Sequence, residues 1–186
     1  MSNQAKIVLI KDINAIRKEI SDNSRSFVQN LMKSLKLKSQ QPFSAYKVDL
    51  SLFYLKQVYE RIFPQKKHGG HLALKNGEID LKTSRSETYN VRETLTLRRD
   101  VPLLDRSIII NLFEGVKIRN RIPSFVELIS KRVSLSKTTI QNRIRVGKFA
   151  INSDKIDDLI LLYRKKEVSH SKVLKEIRKL DKRTKY

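Results

Sequence analysis

The chain has no cysteine and no tryptophan, few glycines and prolines, and no long apolar run. Each of these absences removes a class of protein. Without cysteine there can be no disulfide, no thiolate zinc site and no iron–sulfur cluster, a composition that suits a reducing compartment. A bilayer span needs roughly 18 consecutive apolar residues, and the longest runs, such as 108–110 and 159–162, stop far short. The opening stretch, MSNQAKIVLIKD, lacks the long apolar core of a secretory signal. Only three histidines occur, His68, His71 and His170, too scattered for a metal site, so no cofactor is expected. Aromatics are sparse and are not interleaved with basic residues as in RNA-recognition motifs. Acidic residues are scarce too.

What is abundant is positive charge. Lys and Arg number 40 against 19 Asp and Glu, a formal net charge of +21 over 186 residues. A field of that sign attracts polyanions. The excess is steepest after Val116, where basic residues outnumber acidic ones by nearly three to one. With no membrane-spanning segment, the expected partner is a nucleic acid, and the expected location is the cytoplasm, on a nucleoid or plasmid.

Hydrophobic periodicity divides the chain near residue 101. Residues 6–10 form a short apolar run that reads as a strand. Residues 13–35 have helical spacing through Ile16, Ile20, Phe27, Val28 and Leu31, interrupted by a polar stretch at 22–26. Residues 36–45, with Pro42, read as a loop, and residues 48–63 as a helix stopped by Pro64. The segment HLALKNGEIDLK, 71–82, centres on Asn76-Gly77, the pair favoured in two-residue hairpin turns. Pairing outward from that turn sets Leu74 opposite Ile79 and Leu72 opposite Leu81, so apolar pairs share one face. Residues 90–98 could add a third strand. The amino-terminal region, 1–101, is therefore predicted as α/β with a β-hairpin. The remainder, 102–186, is predicted as an all-helical domain with a basic tail. The fold class expected for the whole is α+β.

The second segment carries the strongest functional pattern. A helix at 103–113 is stopped by Gly115. Ser124 and Glu127 then stand in capping-box spacing ahead of a helix ending at Val133. A short polar turn leads to a second helix at 136–146, with Ser136 as its N-cap. Ile129, Val133, Leu135, Ile140 and Ile144 fall where a helix-turn-helix buries apolar side chains. Wheel geometry turns Thr138, Asn142 and Arg145 away from that core, with Gln141 and Arg143 flanking. Ser136, Lys137, Thr138, Thr139, Gln141, Asn142, Arg143 and Arg145 are accordingly the candidates for reading base edges in a major groove. Arg119, Arg121, Lys131, Arg132, Lys148 and Lys172 are candidates for phosphate contact. Helices at 153–163, with Asp154, Asp157 and Asp158 in its first turns, and at 169–180 complete the segment.

The string ISKRVSLSKTTIQNRIRVGKFAI, followed by an acidic-capped helix and KKEVSHSKVLKEI, resembles the DNA-binding domain of ParB-type partition proteins. Residues 129–133 and Ser136 align with that family's LAKRLGLS element, and residues 142–146 with its NRLRL element. Val168, Ser169 and His170 fall near its I-S-x-G-H-A stretch. The resemblance spans about residues 102–180. It implies a DNA-reading module used for partition or regulation on a plasmid, phage or other mobile element. The family's G-E-R-R-like nucleotide element has no counterpart, so CTP binding is not implied. Ser134 stands where many such turns carry glycine for a left-handed backbone conformation.

The function expected from the sequence is sequence-specific binding of double-stranded DNA by a homodimer, with no catalysis and no small-molecule substrate. Two other classes compete. The charge alone would fit an RNA-binding or ribosome-associated protein. Asp80 and Lys82 on the hairpin, with Glu78 assisting, could hold a divalent metal through the carboxylates and activate water in a nuclease, although simple strand alternation explains the same residues.

Overall fold

The computed structural model of the chain describes residues 2–37, 39–63, 100–116, 122–152 and 156–183. Among these residues the chain forms seven helices and no strand. In order they are α1 (Ser2–Lys36), α2 (Ala45–Ile62), α3 (Leu103–Leu112), α4 (Phe125–Val133), α5 (Lys137–Asn152), α6 (Asp157–Arg164) and α7 (His170–Arg183). The expected α+β class is thus corrected to an all-helical one over the described residues. The hairpin expected at 71–82, with Glu78, Asp80 and Lys82, lies outside them, as do the strand at 90–98 and His68 and His71. No helix among the described residues is long and apolar enough to cross a membrane.

The strand expected at 6–10 is the first part of α1. Its apolar residues belong to a longer helical stripe: Ala5, Leu9, Ile16 and Ile20 are buried and Ile13 packs beside them. Spacings of three and four residues keep one helix face inward, whereas an alternating strand would not continue that face. Ile7 and Ile10 fall off the stripe and are exposed. The polar break expected at 22–26 is present. Asn23 leaves the helical conformation at φ −158° and ψ 90°, and its side-chain oxygen accepts the Ser26 N–H at 2.9 Å. That bond caps the arm that follows. The second arm buries Phe27, Val28, Leu31, Met32 and Leu35.

α2 is apolar on nearly every side and runs through the middle of the fold, as such helices do. Ser44 caps it by accepting the Lys47 N–H at 3.2 Å. Around it the core is continuous. Residues from α1 and α2 and residues from α3 through α7 belong to a single buried cluster. α3 ends where the sequence placed its stop, with Gly115 at φ 75°. Tyr59 of α2 stacks on Phe113 with ring centroids 5.8 Å apart, and its hydroxyl donates to the Pro123 carbonyl at 2.5 Å.

α2 and α5 form the most extensive helix pair, and a glycine permits it. A Cβ on Gly147 would lie 2.1 Å from the Asp49 carbonyl oxygen and 3.0 Å from the Phe53 Cβ. The two helix backbones therefore touch at this point. Any side chain larger than hydrogen must force them apart.

Candidate nucleic-acid interface

The two-helix unit is built from α4, the turn 134–136 and α5. Ser124 caps α4, its hydroxyl accepting the Glu127 N–H at 3.2 Å. At the far end Ser134 takes the left-handed conformation, φ 55° and ψ 39°, the position at which glycine is favoured. The strain there is opposed by local bonds. The Ser134 and Leu135 N–H groups both turn back to the Ser130 carbonyl, and the Ser130 hydroxyl donates to the Leu135 carbonyl at 2.5 Å. Ser136 then caps α5, accepting the Thr139 N–H at 3.1 Å. Its hydroxyl also lies 2.8 Å from the Thr139 hydroxyl. Ser136 and Thr139 are thus engaged in starting the helix.

The core of the unit is as the sequence implied: Ile129, Val133, Ile140 and Ile144 are buried and Leu135 packs against them. The outward face of α5 differs in part from the expected one. Burial extends beyond Ile140 and Ile144 to Val146, Gly147 and Ala150, because α2 covers that flank. The exposed sector keeps Thr138 and Arg145 and extends toward Lys137, Gln141 and Lys148. Lys137, Thr138, Gln141, Arg145 and Lys148 are exposed, while Asn142 is half-buried. Arg143 is half-buried and turns toward α2. Its guanidinium donates to Asp49 Oδ1 at 3.1 Å, against a carboxyl that is 1% exposed.

Arg132, a phosphate candidate, also turns inward. It donates to the Asn111 and Leu112 carbonyls at 2.8 and 2.9 Å, satisfying acceptors left open at the end of α3. Lys131 is exposed and pairs with Glu127 at 3.3 Å. Lys148 and Lys172 are exposed. Arg119 and Arg121 lie outside the described residues. Two of the base-reading and phosphate candidates, Arg143 and Arg132, thus direct guanidinium donors to partners within the fold.

The Asp49 site escaped the sequence reading. A lone aspartate in an apolar helix gives no periodic signal of its partners, which come from three other helices. Besides Arg143, the Tyr163 hydroxyl donates to Asp49 Oδ2 at 2.7 Å, and His170 Nε2 lies 3.6 Å from the same oxygen. Burial pushes the Asp49 carboxyl up to about 7 despite the pull of Arg143. Burial, aided by the Arg143 charge, draws His170 down to about 4. The network joins α2, α5, α6 and α7 at one buried carboxylate.

These two shifts act in opposite directions on stability. Asp49 binds its proton more tightly folded than unfolded, so its contribution is complete at low pH and is lost as pH rises through about 7. His170 holds its proton less tightly folded, so its contribution is complete above the unfolded value and is lost as pH falls toward about 4. Between those limits the two slopes largely cancel. A His170→Gln chain should expose the Asp49 slope, with stability falling as pH rises across that window by up to roughly 1.4 kcal/mol per pH unit. Urea denaturation across the window checks this, and a profile parallel to the parent's refutes it.

Comparison of the chain with protein-family models, with curated proteins and with solved structures finds no match.

Proposed function

We propose that the protein binds double-stranded DNA in a sequence-specific manner through α5, acting as a partition-type centromere binder or a transcriptional regulator of a mobile element. The observation that carries this reading is the α4–turn–α5 unit. A capped helix, a left-handed residue at Ser134 and a second capped helix leave Lys137, Thr138, Gln141, Arg145 and Lys148 on one open face. Amide and guanidinium groups on such a face match the donor and acceptor pattern of major-groove base edges. The net charge of +21 supplies the long-range attraction to phosphate. Lys148 and Lys172 would neutralise phosphates and set register. The resemblance to ParB-type domains supports the same module, and a homodimer on paired half-sites is the expected working form. The protein would then sit on a nucleoid or plasmid.

The test is selection of bound duplexes from a randomised pool by the full chain, followed by competition between selected and scrambled DNA. Gln141→Ala and Arg145→Ala should each reduce discrimination by about 1–3 kcal/mol, concentrated at particular base pairs. Lys172→Ala should weaken both duplexes alike and flatten the salt dependence by about one counterion's worth of slope. Asn142→Ala should do less than either, because that side chain is half-buried. Recovery of no preferred sequence, or variants that discriminate as the parent does, would remove α5 as the reading helix.

A further inference from the structure

Resting on that reading of α5, we infer that Asp181, near the end of α7, is a positioning residue that sets the base specificity of Arg145. α7 packs its Val173, Leu174 and Ile177 into the core and lies against α5. It brings a carboxylate beside Arg145, whose Nη2 lies 2.9 Å from Asp181 Oδ2, an oxygen covered from solvent. Both side chains remain partly open to solvent, 45% for Arg145 and 35% for Asp181. The guanidinium is therefore held at one edge and free at the other.

That geometry suits reading better than simple attraction. An arginine carries five donors in a planar fork. An ion pair with a carboxylate narrows the range that the guanidinium samples, and a bidentate guanine contact requires a defined plane. A free arginine swings toward any phosphate. The sign of the charge sharpens the point. The outward residues of α7 around Asp181, namely Lys175, Arg178, Lys179 and Lys182, are basic and exposed. An acid among them weakens general attraction to a polyanion, so its presence on this face is accounted for by orientation and not by affinity.

The two roles predict opposite changes. Asp181→Asn removes a negative charge near the DNA while leaving a side chain of the same size. Affinity for scrambled duplex should rise by a few-fold, through the electrostatic contribution. Affinity for the selected duplex should fall, so discrimination drops by about tenfold, a share of what one bidentate contact supplies. The loss should occur at the same base pair that Arg145→Ala erases, and the double variant should discriminate no worse than Arg145→Ala alone. Asp181→Glu should recover part of the loss. Parallel selections with the full-length parent and these variants, with melting temperatures as a check on folding, provide the measurement. If the parent selects a sequence and Asp181→Asn keeps the same preference at every position, the positioning role is refuted while α5 stands as the reader. If Asp181→Asn tightens both duplexes equally, the carboxylate is only a repulsive charge and the inference fails. If the parent selects nothing, the reading of α5 fails and this inference with it.

Discussion

A Gly147→Leu chain should be strongly destabilised, because its side chain has no space at the crossing of α2 and α5. The Cβ alone would stand 2.1 Å from a backbone oxygen of Asp49, well inside any tolerable contact. The obstacle is helix backbone, which cannot rotate aside as a side chain can. Overpacking a core costs typically 1–3 kcal/mol, and a leucine against backbone at the largest helix pair should exceed that, at about 4 kcal/mol. For a chain of this size such a loss lowers Tm by roughly 10 °C. Gly147→Ala should follow in the same direction with a smaller drop. Thermal denaturation followed by circular dichroism reads both. A leucine variant that melts with the parent would show that α2 and α5 do not meet at this residue. Since α5 also carries the open face, the same variant should lose sequence discrimination, which Gln141→Ala loses without any change in melting.

Asp49→Leu should have the next largest effect. The carboxyl is buried, and Arg143 and Tyr163 both donate to it. Removing it leaves a guanidinium and a hydroxyl facing an apolar side chain. Breaking a buried charged pair from one side costs about 3–5 kcal/mol, and an orphaned hydroxyl adds about 1–3 kcal/mol when it cannot reach water. Arg143 is 24% exposed, so part of its charge can turn to solvent and the lower end of the range is expected. The diagnostic result is reversal. Adding Arg143→Met and Tyr163→Phe to Asp49→Leu removes both donors that lose their acceptor and should recover much of the lost stability, because apolar replacement of a whole buried pair is often close to neutral. A triple variant no more stable than Asp49→Leu would mean that the loss comes from shape and not from unpaired polar groups.

Both predictions concern contacts that join residues nearly a hundred positions apart, and neither was visible in the order of the residues. What the sequence determined by itself was local. Caps, turns and periodicity fixed the start of α4 at Ser124, the start of α5 at Ser136, the stop at Gly115 and the break near Asn23. Each depends on hydrogen bonds spanning three to five residues, and side chains of the right type at the right spacing suffice. The absence of cysteine and the charge of +21 were likewise complete statements on their own.

The tertiary structure decided the remainder. Residues 6–10 are apolar enough for either a strand or a helix, and only the continuation of their stripe through Ile16 and Ile20 onto the core selects the helix. The open face of α5 could not be located from Ile140 and Ile144, because a helix wheel assumes one buried side. α5 has several: α4 and α7 pack on it, and α2 meets it most extensively, at Gly147. The contact with α2 brings Arg143 to Asp49, while Gln141 and Arg145 stay exposed and Asn142 is half-buried. Arg132 and Arg143 illustrate the same limit. A guanidinium looks identical in sequence whether it meets a phosphate, the carbonyls ending a helix or a buried carboxylate. Which of these it meets depends on what another part of the chain brings within about 3 Å, and that is a property of packing alone.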